Sequence, residues 1–231
     1  MNRKNPPDRF QRLVDAATRA FIDGGYERTQ MSDVADAMKV AKGTLYLYVE
    51  SKEALFDVAV RLSDSPRPLK PPSNLPLPTP PKGATTSHMA TWLARSDVFP
   101  IMETLLARKK REDVRSELEL LVRYLYDSLS RRRHGLKLVE ASAKDLPELA
   151  SVWLEKTRGD LIDLLTRYVD NRIDARRLRR VPNTRAAACS IVETTAFWAV
   201  HRHWDMNFRA IDESVAQETV MQFTVGALTK R

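Results

Sequence analysis

YERTQMSDVADAMKVAKGTLYLYVESKEALF, residues 26–56, holds two short helical patterns separated by three residues, and its reading decides the fold. Met31, Val34, Ala35 and Met38 recur at spacings of three and four, the period of one buried helical face, with Thr29 placed to cap that helix. Lys39-Val40-Ala41 must then turn the chain, and Lys42 to Tyr48 opens a second short helix with Leu45 and Val49 directed to the core. Two short helices around a three-residue turn fit a helix-turn-helix, whose second helix enters the major groove by its N-terminus. Lys42, Gly43 and Thr44 occupy that leading end. Gly43 removes a side chain where backbone approaches a duplex, and Thr44 offers a hydroxyl and a methyl to base edges. Tyr46 and Tyr48 are within reach of phosphates.

Thr29, Val34-Ala35, Gly43-Thr44-Leu45-Tyr46, Tyr48 and Ser51-Lys52-Glu53-Ala54-Leu55-Phe56 together resemble the N-terminal domain of TetR-family transcriptional regulators. In that resemblance Ser51 caps a fourth helix and Lys52 meets a DNA phosphate. The DNA-contacting set it implies is Thr29, Lys42, Gly43, Thr44, Tyr46, Leu47, Tyr48 and Lys52. Two positions depart from the family pattern: Lys39 stands where Gly is usual and Ala41 where Ser is usual. Each substitution removes a local stabiliser, a left-handed turn residue or a hydroxyl cap, worth roughly 1 kcal/mol.

Working outward, 231 residues suffice for a small domain and one of ordinary size. The expected division is a helix-turn-helix domain over 1–65, a proline-rich linker over 66–83 and a helical domain over 84–231. The 38 Lys and Arg against 30 Asp and Glu leave a net charge of +8, which suits an acidic partner. Residues 1–65, however, hold ten basic and ten acidic side chains. The case for DNA therefore rests on the motif and not on bulk charge. One cysteine, Cys189, excludes an intrachain disulfide, and no run of about 18 apolar residues suggests a membrane span. A cytoplasmic protein without membrane attachment is expected.

Ahead of the motif, Asn2–Asn5 forms a polar arm with Arg3 and Lys4. Asp8 and Gln11 read as a capping pair for a first helix, whose apolar face runs from Phe10 to Phe21 and ends at Gly24-Gly25. Beyond the fourth helix, eight of the thirteen prolines fall within residues 66–81. That density prevents helix and favours extended backbone, either as a loop joining domains or as a peptide ligand for a partner. The remainder reads as helix: 87–95, 97–108 with Asp97 as cap, 111–133, 136–143, 148–176, 184–204 capped by Asn183, and 212–228. The fold class is all-α, a three-helix DNA-binding motif followed by a helical bundle.

Helices 184–204 and 212–228 are too apolar for a monomer surface, which suggests a symmetric dimer through both. TetR-like proteins resemble this arrangement. The resemblance also implies a small-molecule effector in the second domain, and Trp92, Phe99, Met102, Trp153, Glu193, Phe197 and His201 are candidates to line its site, although such residues commonly just fill core. Glu193, a carboxylate within an apolar helix, needs a partner; Arg202 and Arg123 are candidates. His201 and His203 point in different directions and lack a third ligand, so no metal is expected. No cofactor is implied. No G-x-G-x-x-G, Walker loop or G-x-S-x-G occurs, which argues against an enzyme. The expected function is a homodimeric regulator, a repressor in sense, released from a palindromic operator by its effector. The alternatives are a helical small-molecule binding protein and a DNA-associated scaffold acting through the proline-rich segment.

Overall fold

The computed structural model describes residues 8–95, 98–107 and 113–230. The arm at Asn2–Asn5, the cap at Asp97 and the helix start at Arg111 lie outside them. The described chain is all-α, with two isolated β-bridges and no strand among the described residues. It forms two compact units: residues up to Leu93 together with His134–Trp153, and Ala94–Arg133 together with the residues from Leu154.

The first unit begins with α1 (Arg9–Arg28), α2 (Met31–Met38), α3 (Lys42–Leu45) and α4 (Lys52–Leu62). Phe10, Leu13, Val14, Ala17 and Phe21 of α1 are buried. Phe21 meets Phe56 of α4 edge-on at 5.0 Å, and Tyr26 meets the same ring at 5.0 Å. Helical geometry in α1 breaks where expected, at Gly25, whose φ of 75° suits glycine. Two local readings differ. Asp8 precedes α1 with helical backbone angles and without a side-chain cap, and Gln11 accepts from Leu69 N–H at 3.2 Å. Thr29 does not cap α2; its hydroxyl turns back to Gly25 O at 2.7 Å, a carbonyl freed by the break in α1. Gln30 takes the cap position instead, its N–H donating to Asp33 Oδ2 at 2.8 Å.

α5 (Ala84–Ala94), α8 (Arg133–Ser142) and α9 (Pro147–Ala150) complete this unit. Asp64 receives the free N–H groups opening α8, from His134 at 3.0 Å and Gly135 at 2.7 Å. Gly135 allows this close approach: a Cβ would stand 3.0 Å from that carboxylate and 3.2 Å from the Trp92 ring. Asp145 accepts from Glu27 N–H at 2.8 Å, holding the turn between α1 and α2. The proline-rich segment lies along the same unit. Leu69 is buried, Arg67 pairs with Asp15 of α1 at 2.7 Å, and Leu77 forms a parallel bridge with Val49.

The second unit packs α6 (Val98–Ala107), α7 (Val114–Ser130), α10 (Arg158–Asp174), α11 (Thr184–Ala199) and α12 (Glu213–Leu228). Met102, Leu105, Leu118, Val122, Leu165 and Val169 are among its fully buried side chains. A buried charge network crosses this core. Glu117 of α7, 1% exposed, accepts from Arg172 Nε at 2.8 Å and Tyr168 Oη at 3.2 Å, and pairs with Arg177 at 3.3 Å. Burial, and then the Glu117 charge, push the Tyr168 phenol well above its ordinary range.

The long helix expected over 148–176 is divided by a π-helical stretch, Ser151–Thr157, and that expected over 184–204 ends at Ala199. Arg202 causes the second difference. Its guanidinium, 1% exposed on the side chain, bonds to the carbonyls of Trp198, Phe208 and Ile211 and to Glu213 at 2.7 Å, folding the following residues around it. Burial would raise the Glu213 carboxyl, but Arg133 and bonds from Ser130 and Tyr126 outweigh it and hold it below the usual range.

Candidate nucleic-acid interface

α3 is a single turn opened by Ala41, whose side chain offers no cap, so the missing hydroxyl read from sequence is missing in the structure. Lys39 closes α2 in the left-handed region at φ 56°, ψ 49°, where its N–H reaches Ala35 and Asp36 carbonyls. A non-glycine residue thus holds the turn conformation that glycine would adopt freely. Leu45, Val49 and Met38 anchor the motif inward, all 2% exposed or less.

That anchoring sets what faces outward. Lys42 and Gly43 are exposed, Thr44 is half-buried, and Tyr46 and Leu47 are 42% and 59% exposed. Gly43 has no positive φ, and a Cβ there would meet nothing within 4 Å. Nothing inside the protein calls for glycine at this point. Tyr48 is 2% exposed, its ring 6.4 Å from Phe10, and its phenol is raised by burial with Arg9 acting the other way. Thr29 is likewise buried at 3%, fixing the entry to α2.

The start of α4 carries a second set. Ser51 Oγ accepts from Ala54 N–H at 3.1 Å, the cap read from sequence. Lys52 lies 4.6 Å over the Tyr26 ring and donates to Glu27 O at 2.9 Å. Tyr26 donates to Glu53 at 3.2 Å, and burial followed by the Glu53 charge pushes its phenol up to about 12. Glu53 is held below its usual range first by its own N–H at the helix start and then by the Ser51 hydroxyl.

The seven candidate effector residues fall in different surroundings. Phe99 lines a groove of about 670 Å³ with Glu103, Asp163, Arg167 and Arg185. Met102 is fully buried, and Phe197 stacks edge-on with Phe208 at 5.5 Å. His201 opens a short 3₁₀ turn and is half-buried. Glu193 faces outward, its side chain 52% exposed, and pairs with Arg158 at 2.5 Å and not with Arg202 or Arg123. The helix face that carries it is the uncovered one, so apolar neighbours in sequence are not its neighbours in space. Trp92 and Trp153 belong to the first unit. Sequence reasoning missed Leu77, which joins the end of α3 by backbone bonds alone; no side-chain pattern signals such a contact.

A short exposed helix on a buried three-helix support defines a helix-turn-helix DNA-binding domain. Residues 13–59 match the model of bacterial regulatory proteins of the tetR family. An uncharacterised HTH-type transcriptional regulator, YhgD of Bacillus subtilis, is 44% identical over 50 residues, 22% of this chain and 26% of that protein. The chain thus matches about a quarter of that relative's length. The transcriptional activator FasR of Mycolicibacterium smegmatis is 25% identical over 232 residues, covering 99% of this chain and 86% of that protein. In fold, the chain is similar to the ketosteroid transcriptional regulator KstR2 of Mycobacterium tuberculosis, with a TM-score of 0.58, 16% identity and 98% of both chains covered. Among the described residues no helix is long and apolar enough to cross a membrane.

Proposed function

We propose that this protein is a sequence-specific transcriptional regulator that binds a two-fold symmetric operator as a homodimer and answers to a small molecule bound in its second unit. The observation that carries the DNA reading is the outward end of α3, where Gly43 meets no atom of its own protein while Lys42, Tyr46 and Leu47 stand exposed beside it. Backbone at that point is open to a duplex, Leu47 suits a thymine methyl, and Lys42 suits phosphate or guanine. Lys52, already held over Tyr26, adds a positioned cation at the start of α4.

In the mechanism, two copies of α3 read major grooves about 34 to 36 Å apart. An effector that binds better to a conformer with another separation withdraws the protein from DNA, and DNA weakens the effector by the same factor. Repression is the sense proposed. Activation is the second reading, favoured by the near full-length likeness to a protein named as an activator.

Selection of sites from random duplex DNA tests the central claim. A two-fold symmetric consensus, bound less selectively by Thr44→Ala, is the expected result. No enriched sequence, with binding that only falls steeply with salt, would reduce the interaction to phosphate attraction. A promoter reporter carrying the consensus then separates repression from activation.

A further inference from the structure

Resting on the reading of α3 as the DNA-contacting helix, we infer that Leu77, in the proline-rich segment, is a positioning residue that fixes the pose of α3 for base readout. α3 is too short to hold itself. After Leu45 the chain closes with Tyr48 and Val49 N–H groups both on Leu45 O, at 2.9 and 3.1 Å, and the Tyr48 carbonyl then lies past the end of the helix. Leu77 N–H donates to that carbonyl at 2.8 Å, and Leu77 O accepts from Glu50 N–H at 3.0 Å. The two bonds make the parallel bridge between Val49 and Leu77.

Thr79 continues the clip into α4. Its N–H donates to Glu50 Oε2 at 3.0 Å and its hydroxyl to Ser51 Oγ at 2.8 Å, the same oxygen that caps α4. Two residues of the segment, Leu77 and Thr79, therefore hold the chain that leaves α3 against the cap of α4. Pro76 and Pro78 flank Leu77 and restrict the backbone on either side, so little conformational freedom is lost when the clip forms. At its other end the segment is tied to α1, through Arg67 to Asp15 and Leu69 to Gln11. Its path thus runs from the support helix to the reading helix.

The clip matters for one kind of binding more than another. Phosphate attraction tolerates a small change in helix pose, whereas hydrogen bonds and methyl contacts at base edges do not. A loosened clip lowers the ratio of operator to non-specific affinity, a readout that a loss of folded protein alone does not move.

The test uses the full chain, the operator obtained by selection and a scrambled duplex of equal length. Leu77→Pro removes the N–H that bonds the Tyr48 carbonyl; Leu77→Ala keeps both backbone bonds; Arg67→Ala loosens only the far anchor. The expected result is operator affinity weaker by about tenfold or more in Leu77→Pro, the scale of a lost hydrogen bond to a buried carbonyl, with scrambled-duplex affinity unchanged. Leu77→Ala and Arg67→Ala leave both affinities at their wild-type values. Should Leu77→Pro melt below the assay temperature, Thr79→Val carries the same expectation at about threefold. Equal losses on both duplexes, or none, overturn the inference. A wild-type chain that selects no sequence overturns the underlying DNA reading instead.

Discussion

At Gly43, stability and function make opposite demands. With open space around the Cβ position and no positive φ, Gly43→Ala is sterically silent in the protein and improves helix propensity by up to about 1 kcal/mol. In the proposed DNA contact the added methyl would stand between backbone and duplex. The variant is therefore expected to melt at or slightly above the wild-type temperature while losing operator affinity by about tenfold or more, read by calorimetry and by titration of the selected site. Equal operator affinity would place the duplex elsewhere. Lys39 is the reverse case, a residue that pays a conformational cost inside the protein. Its left-handed backbone penalises any side chain, by roughly 1–2 kcal/mol, whereas glycine pays roughly 0.5–1 kcal/mol of extra chain entropy. Lys39→Gly is thus expected to stabilise the protein by about 0.5–1 kcal/mol in urea unfolding, and an unchanged or lowered midpoint would contradict the account.

At the scale of elements, helices were legible wherever one apolar face repeats, and ion pairs were not. α2, α4 and α12 lie within a residue or two of their sequence reading because Val34, Leu55 and Val220 each sit on a regular stripe. Glu193 drew attention because its sequence neighbours are apolar, yet the carboxylate that is buried is Glu117, in a helix whose sequence looks ordinarily amphipathic. Its partners Tyr168, Arg172 and Arg177 lie more than fifty residues away, a distance that periodicity does not see. Arg202 and Leu77 escaped for related reasons, one an arginine buried among carbonyls, the other a backbone contact. The two carboxylates therefore make a sharp contrast. Glu117→Gln leaves the Arg172 charge buried without its counter-ion and is expected to cost about 3–5 kcal/mol. Glu193→Gln breaks an exposed pair and is expected to cost no more than about 1 kcal/mol. Denaturant midpoints of the two variants measured side by side decide it; similar values would mean that the Glu117 network relaxes or admits water.

For the whole molecule the decisive question is what covers α11 and α12. Together they frame an apolar groove of about 490 Å³ lined by Ala186, Ala187, Ile191, Phe223, Thr224 and Ala227. Phe223 is 73% exposed and Val215 54%, on a helix otherwise well packed against α7 and α11. Small residues on α11 facing a large exposed ring on α12 permit a second copy to approach closely, and a two-fold axis would bring each Phe223 to its partner's groove. The proposed regulator needs this pairing, since one α3 reads only a half-site. Phe223→Glu places a charge in the contact while removing little from the monomer, because the ring is already in water. It is expected to unfold within about 0.5 kcal/mol of wild type. In sedimentation it should run as a monomer at micromolar concentration where wild type runs as a dimer, and its affinity for the symmetric operator should fall by about a hundredfold as the two half-sites cease to act together. A wild-type monomer under the same conditions would remove the dimer from the proposal, and a dimeric Phe223→Glu would move the interface to another face.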